Sequence, residues 1–297
     1  MLLNKRIPVS YIFNKIKFEV FIICVIGLTT YGFTHKYKNM IPEMPIAIPA
    51  FIGTAISVLL SFKLNQSYDR WWEARKIWGA IVNDSRTFVL QMQSFISKDE
   101  NKDIKIIAYR HIAWLYSLSQ SLRGQDPIAN TEKFLSEEDI HKIRAHKNKP
   151  LAILQLNTLH LSELKAKGKM DIFSLVQINT TLSNFSNQMG MCERIKSTVF
   201  PATYKRFLHW IIYLFTITLS ISLRDIESYF ELPLLLTISS AFFLLEKSAT
   251  HLQDPFSNLP TDTAMTTISR NIEINIKQLL NEEEIPEPIE PQKYYSL

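Results

Sequence analysis

Glycine is scarce in this chain, with seven among 297 residues. No GxGxxG and no Walker sequence occurs, so the Gly-rich loops that cradle phosphates in nucleotide-binding folds are excluded. Cysteine is scarcer still. Cys24 lies in an apolar block and Cys192 beside Glu193, far apart and without a CxxC, which points away from a disulfide framework and from a thiolate zinc site. The histidines are scattered. His141 and His146 are five apart, a spacing that does not align two ligands on one helical face, so no metal or other cofactor is expected. No nucleophile, base and orienting group cluster in sequence as an active site requires, and an enzyme is not expected. Strand-like alternation is rare and no internal repeat is visible. No small-residue cleavage site follows the first apolar block. The basic start with Lys5, Arg6, Lys15 and Lys17 is therefore expected to be retained and not removed as a signal peptide.

What the chain does have is apolar sequence in blocks. Its residues are 46% hydrophobic, and its mean hydropathy of +0.00 averages two populations, apolar blocks and a long charged region. The formal charge is +5. Lys and Arg are dispersed beside the apolar blocks and do not form one stripe. This fits the positive-inside rule and a lipid bilayer as partner, not nucleic acid.

Residues 45–79 organise the rest. Eighteen uncharged residues, 45–62, give way at Lys63 to charged, aromatic-rich sequence, and no Gly or Pro intervenes between Gly53 and Gly79. An uncharged run of about 18 residues is long enough to be a membrane-span candidate. One helix is predicted to start in the membrane and to continue through Phe95 in the cytoplasm. Thr54, Val58 and Phe62 follow i, i+4, i+8 and share a face. Such a stripe serves either helix packing or a pore wall, where apolar rings gate ions by dewetting. Spacing alone does not choose.

Further apolar blocks at 18–33, 207–223 and 232–245 bring the expected number of spans to four. Pro42, Pro45 and Pro49 are read as initiating the second. The loop 224–231 carries Asp225, Glu227 and Glu231 against Arg224. Lys63, Arg70, Arg75 and Lys76 mark one membrane end of the charged block, and Lys205 and Arg206 the other. Both termini are thereby expected in the cytoplasm. The expected organisation is an N-terminal segment with two spans in 1–62 and a cytoplasmic helical region in 63–206. Two further spans follow in 207–250, then a C-terminal helix in 251–282 and a disordered acidic tail in 283–297. Within the cytoplasmic region the predicted elements are a polar turn at 97–103 and helices at 104–122, from Ser136, 150–167 and 170–191. Trp71, Trp72 and Trp78 read as an interfacial belt or as helix packing. Arg70 and Glu73 read as an i, i+3 charge pair.

Tyr68, Arg70, Trp71, Glu73, Ala74, Arg75, Trp78 and Gly79, with GMCERI from Gly190 to Ile195, Pro201, Tyr204 and LQDPF from Leu252 to Phe256, follow one another in an order that resembles the bestrophin family of ion channels, in its prokaryotic branch. The resemblance implies an all-α membrane protein: a homopentamer around one central pore, with a transmembrane neck and a cytoplasmic basket of helices. The neck positions of the family fall on Thr54, Val58 and Phe62. Relatives usually place apolar residues at all three, so Thr54 implies a wetter outer ring. A second constriction at the cytosolic exit falls near Ile172 and Phe173, with Phe173 favoured. Animal members bind calcium beside DPF through a following acidic run. Here Ser257, Asn258, Leu259 and Pro260 follow and only Asp262 adds a carboxylate, so the resemblance leaves open whether calcium regulates this chain.

Small monovalent ions are the expected cargo, cations ahead of chloride. Family membership leaves open whether chloride or cations pass. Asp69, seven residues beyond Phe62 and close to the same face, is the candidate selectivity residue. A ring of such carboxylates would favour cations. A membrane-anchored helical scaffold that does not conduct is the competing class.

Overall fold

The computed structural model describes residues 8–38, 40, 43–198, 201–224, 226, 228–292 and 294–296. Lys5, Arg6, Pro42, Asp225 and Glu227, used above in reading the topology, lie outside the described residues.

Among the described residues the chain is helical, without a strand beyond one isolated bridge at Gln292 and Tyr295. In order the helices are α1 (Val9–Lys36), α2 (Ala47–Phe95), α3 (Asn101–Leu122), α4 (Glu137–Arg144), α5 (Lys149–Ala166), α6 (Ile172–Ser197), α7 (Ala202–Ser222), α8 (Ser228–Gln253) and α9 (Met265–Leu279). The contacts divide into two compact units. One holds the described residues of Lys5–Arg70 and Val199–Asp254, the other those of Trp71–Thr198 and Pro255–Leu297. α2 is a single uninterrupted helix with its first residues in one unit and the remainder in the other. Pro49 falls in its first turn, where the missing N–H has no helical partner to lose.

The first unit is built on α1, the start of α2, α7 and α8. α1 packs on α7 and α8, and α7 on α8. The shared core includes Ile23, Ile56, Leu60, Leu208, Ile212, Phe215, Leu235 and Phe243. Gly53 brings α2 close to α7, because a Cβ there would lie 3.1 Å from the Phe215 ring. Phe18, Phe21, Leu28, Trp210 and Leu214 point outward instead. Large apolar side chains on the outer faces of such helices suit lipid or a neighbouring chain. Among the described residues α1, α2 and α8 are long and apolar enough to cross a membrane; α7, the third expected span, is not in that set. Lys205, Arg206 and His209 in its first turns lower its mean hydropathy. α8 is longer than the apolar run 232–245 implied. It begins ahead of Pro233, which lies inside it, and runs on past Glu246 because that carboxylate is buried and paired.

The second unit is built on the remainder of α2 with α3, α4, α5, α6 and α9. Its core holds Trp78, Phe88, Trp114, Phe185, Phe256, Met265 and Ile272. Trp78 is fully buried there and packs between helices, while Trp72 is exposed. Local signals set the helix ends. Ser136 Oγ accepts from the Asp139 N–H at 3.1 Å, and Asn148 Oδ1 from the Leu151 N–H at 3.1 Å. After α5, Gly168 takes φ +71°, a left-handed conformation that ends a helix without Cβ strain. The polar turn expected at 97–103 is a short 3₁₀ turn, Lys98–Glu100, that runs directly into α3. α6 continues beyond Met191 because Gly190 keeps helical geometry. The acidic tail is non-helical over its described residues. Arg270 Nη1 donates to the Glu287 carbonyl at 3.1 Å and Lys277 Nζ to the Glu284 carbonyl at 3.3 Å.

Candidate functional site

Within the first unit α2 has two unlike faces. Ile56, Leu60, Lys63 and Ser67 are buried against its neighbours, while Thr54, Val58 and Phe62 face outward. Val58 is 51% exposed and Phe62 60%. Helical periodicity explains the division: positions four apart stack, and Phe62 and Lys63 are turned about 100° from each other. Thr54 Oγ1 donates to the Ala50 carbonyl at 2.9 Å. Its proton is therefore used inside the helix, and only acceptor lone pairs and a methyl group remain for whatever lies outside. Asp69 continues the same exposed stripe, and its carboxylate has no hydrogen-bond or ion-pair partner among the described residues.

The buried face of α2 is held by polar tethers. The Tyr204 hydroxyl donates to the Leu59 carbonyl at 2.9 Å. Lys63 Nζ donates to Glu246 Oε1 at 2.7 Å and to Thr250 Oγ1 at 2.8 Å. His209 Nε2 lies 3.1 Å from Glu246 Oε2. Arg70 Nε donates to the Gln253 carbonyl at 2.9 Å. Sequence reading took Lys63 and Glu246 as span boundaries and did not see that each supplies the other's countercharge; no local signal links positions so far apart.

In the second unit Glu73 Oε1 accepts from Arg194 Nη2 at 3.2 Å, and Trp71 Nε1 donates to the Thr261 carbonyl at 2.9 Å. The first joins two motif residues that the sequence presents separately. Ile172 and Phe173 open α6 and are exposed, Phe173 to 84% and Ile172 to 50%. They are held by a cap that the sequence reading missed. Asp171 Oδ1 accepts from the Phe173 N–H at 2.8 Å and the Ser174 N–H at 3.0 Å, and the Ser174 hydroxyl donates to Asp171 Oδ2. The hydrogen bonds from Ser174 keep the Asp171 carboxyl below the usual aspartate range. The signal was legible: an Asp directly before an apolar helix start. From Phe173 an exposed stripe continues through Val176, Thr180, Asn184, Asn187 and Met191 without a charged side chain.

Of the histidines weighed as ligands, His160 lies between Asp103, at 2.7 Å from Nε2, and Arg110 Nη1, at 3.1 Å from Nδ1. Arg110 itself forks onto Asp139 with two bonds of 2.8 Å. The guanidinium only donates, so His160 Nδ1 is the acceptor and Nε2–H donates to Asp103. This arrangement fastens α3, α4 and α5 together. Asp262, the one added carboxylate after DPF, is buried and closes a turn by accepting from the Leu259 N–H at 3.0 Å. No group of three or more His, Cys, Asp or Glu able to hold a metal ion is found among the described residues.

Comparison with known proteins sets these residues in a family. A crystal structure of a bacterial bestrophin homolog from Klebsiella pneumoniae superposes with a TM-score of 0.85 and 26% identity, covering 91% of this chain and 100% of that one. The voltage-dependent anion channel-forming protein YneE of Escherichia coli K12 is 29% identical over 262 residues, 88% of this chain and 85% of that protein. The voltage-dependent anion channel-forming protein RSc3414 of Ralstonia nicotianae is 28% identical over 238 residues, 78% of this chain and 76% of that protein. The model of the bacterial and fungal bestrophin proteins matches residues 5–278, nearly the whole chain, and on that match the chain belongs to the bestrophin family.

Proposed function

We propose that this chain is the subunit of a homopentameric channel of the bacterial inner membrane that passes small monovalent ions through a neck lined by Thr54, Val58 and Phe62. The observation that carries the reading is the two-faced α2. Its inner face is fully packed, yet at the same level Val58 and Phe62 are left uncovered by their own chain. Five copies facing a common axis would turn each position into an apolar ring that controls wetting. In this arrangement α7 counts as a fourth span. Its residues Leu208, Ile212, Phe215 and Leu219 are buried against the other apolar helices, and bundle packing relaxes the hydropathy a lone span needs. Both termini then lie in the cytoplasm, and Phe173 with Ile172 forms the cytosolic exit.

For the ion, the names of the E. coli and Ralstonia relatives favour anions. A cation preference is the second reading, supported by Asp69 on the neck stripe, which is exposed and has no partner among the described residues. The test is purified protein in planar bilayers with asymmetric KCl, alongside native mass spectrometry. Stepwise currents reversing toward the chloride potential, from a five-chain particle, are the expected result. A monomer or dimer without unitary currents would replace the channel with a membrane-anchored scaffold.

A further inference from the structure

Resting on the channel reading, we infer that Lys63 is a positioning residue: through Glu246 it fixes the rotation of α2 and thereby the projection of Phe62.

Lys63 and Glu246 both have side chains at 0% exposure, and their charged atoms are 2.7 Å apart. Burying two charges is costly unless their remaining hydrogen-bond capacity is also met. Here it is met at Glu246 Oε1, while Oε2 faces His209 without making a hydrogen bond among the described residues. Thr250 Oγ1 donates to Glu246 Oε1 at 2.9 Å and accepts from Lys63, and His209 Nε2 stands 3.1 Å from the second carboxylate oxygen. The carboxylate thus joins α2, α7 and α8 at one point.

Its place along α2 is what gives it a functional consequence. Lys63 follows Phe62 directly, so the anchored side chain and the exposed ring hang from adjacent Cα atoms. Above it, Ile56 and Leu60 hold α2 by apolar contact. Apolar packing is non-directional and allows small rotations and slides at little cost. Charge-assisted hydrogen bonds are short and directional. Along the buried face polar tethers occur at Leu59, Lys63 and Arg70, and at Lys63 the partner is a charged side chain, with both fully withdrawn from solvent. Losing the pair while keeping the volume would leave α2 packed but free to choose another rotation. Phe62 would then project differently.

The experiment uses full-length protein. Open probability is recorded in planar bilayers. In a Phe62→Cys reporter with Cys24→Ala and Cys192→Ala, the rate of modification by a charged thiol reagent is measured as well. Lys63→Met with Glu246→Met removes both charges at similar volume, a replacement that often leaves folding intact. The expected outcome is an oligomer of parental thermal stability, with open probability and the rate of thiol modification at position 62 each altered by about fivefold or more. Lys63→Arg, which keeps the charge, should stay near the parent in both. Parental values in the double variant would overturn the inference. Should the double variant fail to assemble, Thr250→Val is the second test. It removes the hydroxyl that bonds both charges and keeps the side-chain shape, and unchanged modification at position 62 would likewise overturn the inference. If the parent carries no current at all, the channel reading fails by itself. The thiol rates still decide whether the pair positions residue 62.

Discussion

His111 Nε2 lies 2.9 Å from Ser85 Oγ, with both side chains fully buried, so α3 is keyed to α2 inside the second unit. The direction of that bond can be deduced. Ser85 Oγ already donates to the Ile81 carbonyl at 2.6 Å, so His111 supplies the proton from Nε2. Nδ1 then carries the lone pair and has no hydrogen-bond partner among the described residues. Phe88, Trp114 and Phe185 surround the ring at centroid distances of 5.3, 5.4 and 4.4 Å. Charging this imidazole would place a proton on a nitrogen with no acceptor in an apolar shell.

Burial accordingly pushes His111 down to about 3. The unfolded chain binds this proton near pH 6.5, whereas the folded chain does so only near 3. Between those values the unfolded state holds more protons, so the stability contributed by a neutral His111 is complete above about pH 6.5 and is lost on acidification toward 3. The amount is on the order of a few kcal/mol. His111→Phe preserves a ring among its aromatic neighbours, and Ser85 keeps its bond to Ile81. Thermal unfolding between about pH 7 and about pH 4 should show a shallower loss of Tm for this variant than for the parent. Parallel curves would show that other groups control acid sensitivity.

Asp171 supports a second prediction. Its carboxylate ties down the N–H groups of Phe173 and Ser174 at the start of α6. Asp171→Ala should fray that first turn and speed amide exchange at residues 172–174, with the α6 interior unchanged. Asp171→Asn keeps an acceptor and should show the smaller effect. Because the carboxyl lies below its ordinary range in the folded chain, its stabilisation is present above the unfolded pKa of about 3.9 and is lost as pH falls through the folded value. Exchange rates unchanged by Asp171→Ala would show that the turn is held by packing alone.

How much of this was legible in the sequence depends on range. α2 was readable through Phe95, because its signal is local: an uncharged run, a charged amphipathic continuation and no Gly or Pro between Gly53 and Gly79. The caps at Ser136 and Asn148 and the turn at Gly168 likewise express short-range chemistry. α8 was read too short because Glu246 looked like a boundary. Its charge is tolerated only because Lys63 arrives from a distant helix. The exposed stripe of Thr54, Val58 and Phe62 followed from spacing. What spacing left open was which face of α2 would be packed, since that depends on where Ile212, Phe215 and Phe243 lie. The Glu73 and Arg194 pair was unreadable for the same reason: each motif was visible, and their meeting was not.

The neck assignment leads to a third prediction. Val58 and Phe62 are more than half exposed in the single chain, so truncating either removes little intrachain packing. If they form dewetting rings, Val58→Ala and Phe62→Ala should widen and wet the constriction and raise open probability or unitary conductance. Thermal stability of the oligomer should change little. If they instead pack between chains, the same truncations should weaken the oligomer, at a cost of about 3–5 kcal/mol for a fully buried Phe. Currents and native mass spectra of the same preparations separate the cases. A stable Phe62→Ala pentamer with unaltered currents would remove Phe62 from the neck.

Asp69 gives the last prediction, and its sign does not depend on which ion the channel prefers. The carboxylate is exposed on the stripe of Thr54, Val58 and Phe62 and has no partner among the described residues, so it has not spent its field on a described arginine of its own chain. Repeated in five chains near the cytoplasmic side of the neck, it would make that mouth more negative, drawing in cations and holding back anions. Asp69→Asn keeps the size and most of the hydrogen-bonding geometry while removing the charge. In asymmetric KCl the reversal potential should therefore move toward the chloride potential. In an anion-selective channel this appears as stronger chloride preference, and in a cation-selective one as weakened discrimination. The shift should be largest at low ionic strength and shrink as salt rises, because at about 1 M a charge is felt over only about 3 Å. Reversal potentials that coincide for parent and variant at low salt would place Asp69 outside the ion's path and leave selectivity to the uncharged stripe from Phe173 to Met191 and to the other polar groups at the mouths.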